Sequence, residues 1–308
     1  YDALDWKDDL DGVLKYSLPV LVDSILKEDC PGDLTYDAVL VDEGQDFELL
    51  WWQSLARVVR GEGEAILVAD KTQDLYESAS VWTDDAMKSA GFRGPWNELK
   101  VSFRLPSDYL PLMRGFLERF ITDDEKIEPQ PVQSDLAGIT KTQMRWLQVT
   151  TENASIQACV DAVLHFPIRE QVSDDNATYP DVVVLTGTNL GGFQVVRELM
   201  GNGIKVRHTF GSRGERQDEK EMRKQKMAFY LGAEQVKATT IHSFKGWEST
   251  CLVVQIIDGA SKSAIAAAYT ALTRLKASER GGDSYITVVC SAPEFEDYGK
   301  TWPEFKRL

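Results

Sequence analysis

Val182-Val183-Val184-Leu185 is followed by Gly187, Gly191 and Gly192, then by Phe193, Val196, Leu199 and Met200 at helical spacing, and the run stops at Gly201-Asn202-Gly203. Four aliphatic side chains in a row show no polar alternation, so the strand they predict is covered on both faces. The glycines turn the chain, and the spacing beyond them predicts a helix that Gly-Asn-Gly terminates. Strand, turn and helix in that order form the repeating unit of a parallel sheet. The alternation recurs on either side. Ala38-Val39-Leu40-Val41 runs into Asp42, and Ala65-Ile66-Leu67-Val68-Ala69 runs into Asp70. Between them Leu49, Leu50, Trp52, Leu55, Ala56 and Val59 recur at helical spacing. Cys251–Ile257 and Tyr285–Cys290 predict two further buried strands, with a helix between them around Ala264–Thr273. The reading is α/β, in two domains built on parallel sheets.

Composition agrees. A chain of 308 residues with 43% hydrophobic and 27% charged side chains excludes disordered, collagenous and low-complexity classes and is long enough for two cores. No apolar run approaches the roughly 18–20 residues of a membrane span, so no membrane partner is expected. The opening, Tyr1-Asp2-Ala3-Leu4-Asp5, lacks an initiator Met and the basic and apolar regions of a signal peptide, and reads as the cut end of a longer chain. Cys30, Cys159, Cys251 and Cys290 form no CxxC pair, and His165, His208 and His242 have no metal-ligand spacing. Cys251 and Cys290 sit in apolar runs and read as buried thiols, in keeping with a cytoplasmic location.

The formal net charge of -15 is unevenly spread. Residues 1–135 carry 29 acidic and 13 basic side chains, whereas residues 136–308 carry 20 and 21. The shift falls near Pro129-Gln130-Pro131, a linker-like stretch after Asp123-Asp124-Glu125, and places a domain boundary there: 1–128 and 129–308. A polyanion is expected to meet the second part or the seam.

Two strand ends carry the candidate chemistry. Val41-Asp42-Glu43-Gly44-Gln45-Asp46 places an acidic pair at the carboxyl end of a buried strand, where open α/β sheets bind ligands. There one carboxylate can hold Mg²⁺ and its neighbour can orient an attacking water. The competing reading is a surface turn in which Asp46 caps the next helix. Ala69-Asp70-Lys71-Thr72-Gln73-Asp74-Leu75-Tyr76 leaves the neighbouring strand, and a Gln there can report a terminal phosphate by hydrogen bonding; a polar loop is the alternative.

Taken in order, these segments resemble motifs of the superfamily 1 DNA helicases of the UvrD/Rep group. Asp42–Asp46 is similar to their DExxQD-type Walker B motif, and Ala69–Tyr76 to the third motif, GDxxQxIY. Ser102-Phe103-Arg104-Leu105-Pro106 resembles the fourth, and Val182–Ile204 the VLxRTN…LxxxGI segment. Thr239-Thr240-Ile241-His242-Ser243-Phe244-Lys245-Gly246-Trp247-Glu248 is similar to the fifth motif, TxHxxKGLE. Tyr269-Thr270-Ala271-Leu272-Thr273-Arg274 is similar to the sixth, YVALTR. The resemblance implies two RecA-like lobes, the first represented by its C-terminal part, and an ATP-dependent motor on single-stranded DNA.

Residue by residue, the resemblance implies that Asp42 holds Mg²⁺, Glu43 polarises the attacking water and Gln73 senses the γ-phosphate. Phe103 stands where an aromatic stacks on adenine. Gly246 belongs to the nucleotide-binding set, and Glu248 accepts a hydrogen bond from the ribose. Arg104 and Arg274 would act on the γ-phosphate; a salt bridge to the acidic first part is the alternative for each. An arginine in that role is expected to be dispensable for folding. Tyr76, Thr240 and His242 would meet the nucleic acid, as would Trp82 if it replaces the stacking aromatic that the third motif lacks at Ser78.

Two departures bear on these expectations. No Gly-x-x-x-x-Gly-Lys-Ser/Thr segment occurs, so nothing in the sequence reads as the backbone nest and lysine that cradle the β- and γ-phosphates. A missing N-terminal part of the same protein is the expected source. A catalytically inactive, helicase-like binding or regulatory module is the alternative. The domain that larger relatives insert is also absent. Residues 211–227 read instead as a short, exposed charged segment with Arg213, Arg216, Lys220, Arg223, Lys224 and Lys226 among four acids.

Overall fold

The computed structural model describes residues 12–28, 34–70, 84–92, 97, 101–102, 105–121, 130–131, 141–165, 182–210, 229, 235–277 and 283–308. Packing divides the chain into two compact units, 1–98 and 99–308. This division precedes the compositional change at Pro129. The segment between the two contains a helix, Leu110–Phe120, whose Leu110, Met113, Phe116 and Leu117 enter the core of the second unit.

The first unit contains α1 (Leu18–Glu28), preceded by a π-helical turn at Val13–Ser17, then β1 (Tyr36–Val41), α2 (Leu49–Arg57), β2 (Val59–Leu67) and α3 (Asp84–Ser89). β1 and β2 pair in parallel, with Val39 opposite Ala65, Leu40 opposite Ile66 and Val41 opposite Leu67. α1 packs on α2 through polar ties. Ser54 Oγ donates to Pro19 O at 3.3 Å, and Arg57 and Lys27 both pair with the buried Asp23. Those two cations hold the Asp23 carboxyl below its ordinary range, Arg57 contributing most. Trp52, 1% exposed, stacks on Phe92 and packs with Val41. Two local expectations change. Val59 opens β2 rather than closing the helix, since its backbone pairs with that of Tyr36. Asp46 does not cap α2, which starts at Leu49 after an extended Glu48 and has no side-chain cap.

The second unit is a seven-stranded, all-parallel sheet flanked by helices, an arrangement consistent with a RecA-like lobe. After β3 (Val101–Ser102), α4 (Leu110–Phe120) and β4 (Gln130–Pro131), the sheet strands are β5 (Thr142–Gln148), β6 (Val182–Thr186), β7 (Val206–His208), β8 (Val236–Thr240), β9 (Cys251–Ile256), β10 (Ser284–Cys290) and β11 (Glu304–Arg307). Their order across the sheet is β11-β5-β10-β9-β6-β8-β7. Between them run α5 (Glu152–Leu164), α6 (Asn189–Gly201), α7 (Lys262–Leu272) and the single turn α8 (Glu296–Gly299). Every residue of β6, β9 and β10 is buried, as an aliphatic run without alternation requires. Successive side chains nonetheless serve different cores. Val182 and Val184 pack with α5 and α6, whereas Val183 and Leu185 pack with α4, α7 and the C-terminal aromatics Phe295, Tyr298 and Trp302. α5, α6 and α7 begin where hydroxyls accept free N–H groups: Thr151 from Ala154, Thr188 from Gly191, Ser261 from Ala264.

Cys159, Cys251 and Cys290 are buried free thiols, as the apolar surroundings of Cys251 and Cys290 suggest. Burial pushes Cys290 up to about 12 and raises Cys159 as well. No helix among the described residues is long and apolar enough to cross a membrane.

Gly192 brings the backbone of α6 close to Phe210. A Cβ there would lie 2.2 Å from the ring of Phe210, which is 1% exposed. Gly192→Ala must displace that ring from a filled core, so it is expected to lower stability by about 1–3 kcal/mol or more, read as a fall in the urea midpoint.

His208 lies at the sheet edge, with ring centroids 5.9 Å from Phe193 and 5.7 Å from Phe210. Burial is the main reason its imidazole sits below the usual 6.5. The folded state therefore prefers the neutral ring, and the unfolded chain takes up the proton first. The contribution to stability is complete above 6.5 and is lost as pH falls through the folded value. Urea midpoints should decline on acidification from about pH 7 to about pH 5, and His208→Phe should flatten that decline.

Candidate functional site

Asp42 follows the last residue of β1, and the chain then turns sharply. Glu43 adopts φ 55°, ψ 40°, the only positive φ outside glycine among the described residues. This left-handed conformation is uncommon for a residue with a side chain and persists where its surroundings over-determine it. Several contacts do so. Glu43 N donates to Asp42 Oδ1 at 2.8 Å, and Asp46 N donates to Glu43 O at 2.9 Å, closing a 3₁₀ turn at Gly44–Asp46. Gly44 N donates to Val68 O at 2.7 Å, and Val68 N donates to Val41 O at 2.8 Å, so the two chains stay joined beyond their strands. Only glycine fits at position 44. A Cβ there would lie 2.8 Å from Leu67 Cγ and 3.0 Å from Val68 O.

Gln45 completes the turn. Its side chain is 1% exposed, and both ends of its amide are used. Nε2 donates to Glu43 Oε2 at 2.6 Å, and Oε1 accepts from Asp70 N at 2.8 Å. A carboxylate can only accept and a backbone N–H can only donate, so this amide orientation alone satisfies both partners. The two acidic strand ends that the sequence singles out are thus brought together in space, and Gln45 is the link. The motif contains Gln45, but sequence reasoning gives it no role. The signal was its position two residues after Glu43, across a turn that returns the side chain to that carboxylate.

The donor set suits Mg²⁺ in part. Carboxylate oxygens are its preferred ligands, and it commonly binds one or two of them while keeping waters and taking phosphate oxygens. Asp42 is exposed at the strand end and can serve in that way. Among the described residues no group of three or more His, Cys, Asp or Glu side chains could hold a metal by itself.

In the second unit, β8 pairs with β6 so that Thr240 lies opposite Thr186, and Ile241 N donates to Thr186 O at 3.1 Å. A 3₁₀ turn, His242–Phe244, follows. Thr240 Oγ1 accepts from Ser243 N at 3.2 Å and anchors that turn, while His242 is exposed. Gly246 has φ +81°, Trp247 is 46% exposed, and Glu248 pairs with Lys276 at 3.4 Å. Ser249 N donates to Arg274 O at 3.0 Å and Lys276 N to Ser249 O at 2.9 Å. The segments resembling the fifth and sixth motifs are therefore knitted together, which brings Glu248 and Arg274 into one neighbourhood.

Arg274, the last residue of the segment resembling the sixth motif, follows the end of α7. It is 1% exposed, with Nε donating to Thr270 O at 3.0 Å and an NH2 contact to Thr273 Oγ1 at 3.4 Å. A guanidinium on the last carbonyls of a helix complements that terminus, so Arg274 holds the end of α7. Gln73, Tyr76, Trp82, Phe103, Arg104 and the charged segment 211–227 lie outside the described residues. No protein-family model matches the chain, and no curated protein matches its sequence.

Proposed function

We propose that the chain is a portion of an ATP-dependent helicase or translocase, in which ATP hydrolysis drives movement on single-stranded DNA. The observation that carries this reading is the turn after β1. It holds an acidic pair at the carboxyl end of a parallel strand, keeps Glu43 in a strained conformation and ties it through Gln45 to the neighbouring strand end. Backbone strain over-determined by buried polar contacts is characteristic of functional sites.

In this reading Asp42 would hold Mg²⁺, which when bound neutralises phosphate charge. Glu43 orients the attacking water, and Gln73 reads the terminal phosphate. Phe103 stacks on the base, Gly246 lines the nucleotide, Glu248 accepts from the ribose, and Arg104 with Arg274 stabilises developing charge. Tyr76, Trp82, Thr240 and His242 contact the strand. Phosphoryl transfer depends mainly on positioning and charge stabilisation, which matches these residue types. The reading requires a phosphate-cradling loop outside residues 1–308, and it expects a cytoplasmic protein.

Fluorescence anisotropy with labelled oligonucleotides tests the nucleic-acid half. Preferential binding of single-stranded DNA over duplex, weakening as salt rises, is expected. Equal affinity for single strands and duplex, or no binding, would overturn it. Preference for RNA would redirect it to another substrate.

A further inference from the structure

We propose that Gln45 is a positioning residue that gears the Glu43 carboxylate to the loop leaving β2, so that the two move together. The proposal rests on the nucleotide-site reading above and adds a means of coupling within it. Asp70 belongs to the segment, Ala69–Tyr76, that contains Gln73. Its N–H is held by the same amide whose other end holds Glu43 Oε2, at 2.8 and 2.6 Å.

The tie is effective because Gln45 is buried. Glu43 is only partly buried and can exchange a protein partner for water, but the 1% exposed amide of Gln45 cannot. Leaving one end of a buried amide unpaired carries the full desolvation penalty of that group. A displacement of Asp70 therefore draws Gln45 with it, and Gln45 draws Glu43. The backbone permits this motion as a switch. Glu43 sits in a sparsely populated conformation that its three hydrogen-bonded neighbours maintain, so release of one contact favours return to an ordinary one. A loop that senses the terminal phosphate would in this way set the carboxylate that orients water.

The test uses backbone amide resonances and hydrogen exchange of the whole 308-residue chain. Glu43→Ala removes the anchor at one end of the Gln45 amide without touching Asp70. It is expected to speed exchange at the Asp70 amide by about tenfold, the loss of one modest hydrogen bond. In a Gln45→Leu background the same substitution should add nothing. A general loosening would instead speed Ala69 and Val68 equally, in both backgrounds. Mg²⁺ alone supplies the second arm. In the wild type it should shift Asp42, Glu43 and Asp70 together, and in Gln45→Leu it should shift Asp42 and Glu43 only. Unchanged Asp70 exchange in Glu43→Ala, or an Asp70 shift that survives Gln45→Leu, overturns the gearing. Absence of any Mg²⁺ response at Asp42 and Glu43 overturns the metal-site reading instead, and the exchange arm still decides the role of Gln45.

Discussion

Incubated with ATP, Mg²⁺ and single-stranded DNA, the 308-residue chain is expected to release no detectable phosphate. Asp42 and Glu43 can position a metal ion and a water only around a phosphate chain held in register. A phosphate loop supplies several backbone N–H contacts and a lysine, and no such segment occurs in the sequence. Each charge-assisted contact contributes about 1.5–3 kcal/mol, so losing several weakens ATP binding by orders of magnitude. The γ-phosphate is also misplaced, and about 1 Å of error can cost roughly a hundredfold in rate. Both losses fall on the same step. The measurement is a coupled phosphate-release assay, with Glu43→Gln as the control for contaminating ATPase. DNA-dependent turnover that disappears in Glu43→Gln would show that another segment cradles the phosphates.

Arg274→Ala is expected to destabilise the second unit by about 2–4 kcal/mol, as truncation of a large buried side chain that donates to a helix end does. The substitution empties the space beneath the end of α7 and leaves Thr270 O without its guanidinium donor. An arginine that only reached out to a phosphate would leave the urea midpoint unchanged. Arg274→Lys keeps the charge but not the fork of donors, so it should recover only part of the loss. Melting of Arg274→Ala at the wild-type midpoint would contradict the structural role assigned to this residue.

The difference between those two expectations for Arg274 shows where the sequence was legible. Continuous aliphatic runs such as Val182–Leu185 and Cys251–Ile256 announce doubly covered parallel strands, because no amphipathic alternative accommodates them. The stop at Gly201-Asn202-Gly203 likewise marks the end of α6, with Asn202 as its C-cap. β5 was not legible. Gln143 and Arg145 interrupt its apolar pattern, and its burial comes from Trp146 packing with Tyr298 and Trp302 far along the chain. Tertiary contact of that kind leaves no local signal.

The site divides in the same way. Asp42 and Glu43 could be singled out from their position after a strand, and Asp70 from the same logic. Their union could not, because it depends on a left-handed Glu43 and on a close approach at Gly44 that only three dimensions reveal. Arg274 could be recognised as an arginine in a motif, but its burial depends on how α7 meets the turn at Ser249.

The proposed function depends most on Glu43 orienting the water for ATP hydrolysis. Its most direct test is ATP turnover by the protein as the gene encodes it at saturating single-stranded DNA, wild type against Glu43→Gln. The amide keeps the size and the contact with Gln45 but accepts no proton, so kcat is expected to fall by about 10²–10⁴ with little change in KM. A Glu43→Gln protein that turns over ATP within about threefold of the wild type, well short of the tenfold that 1.4 kcal/mol of barrier represents, would contradict the account.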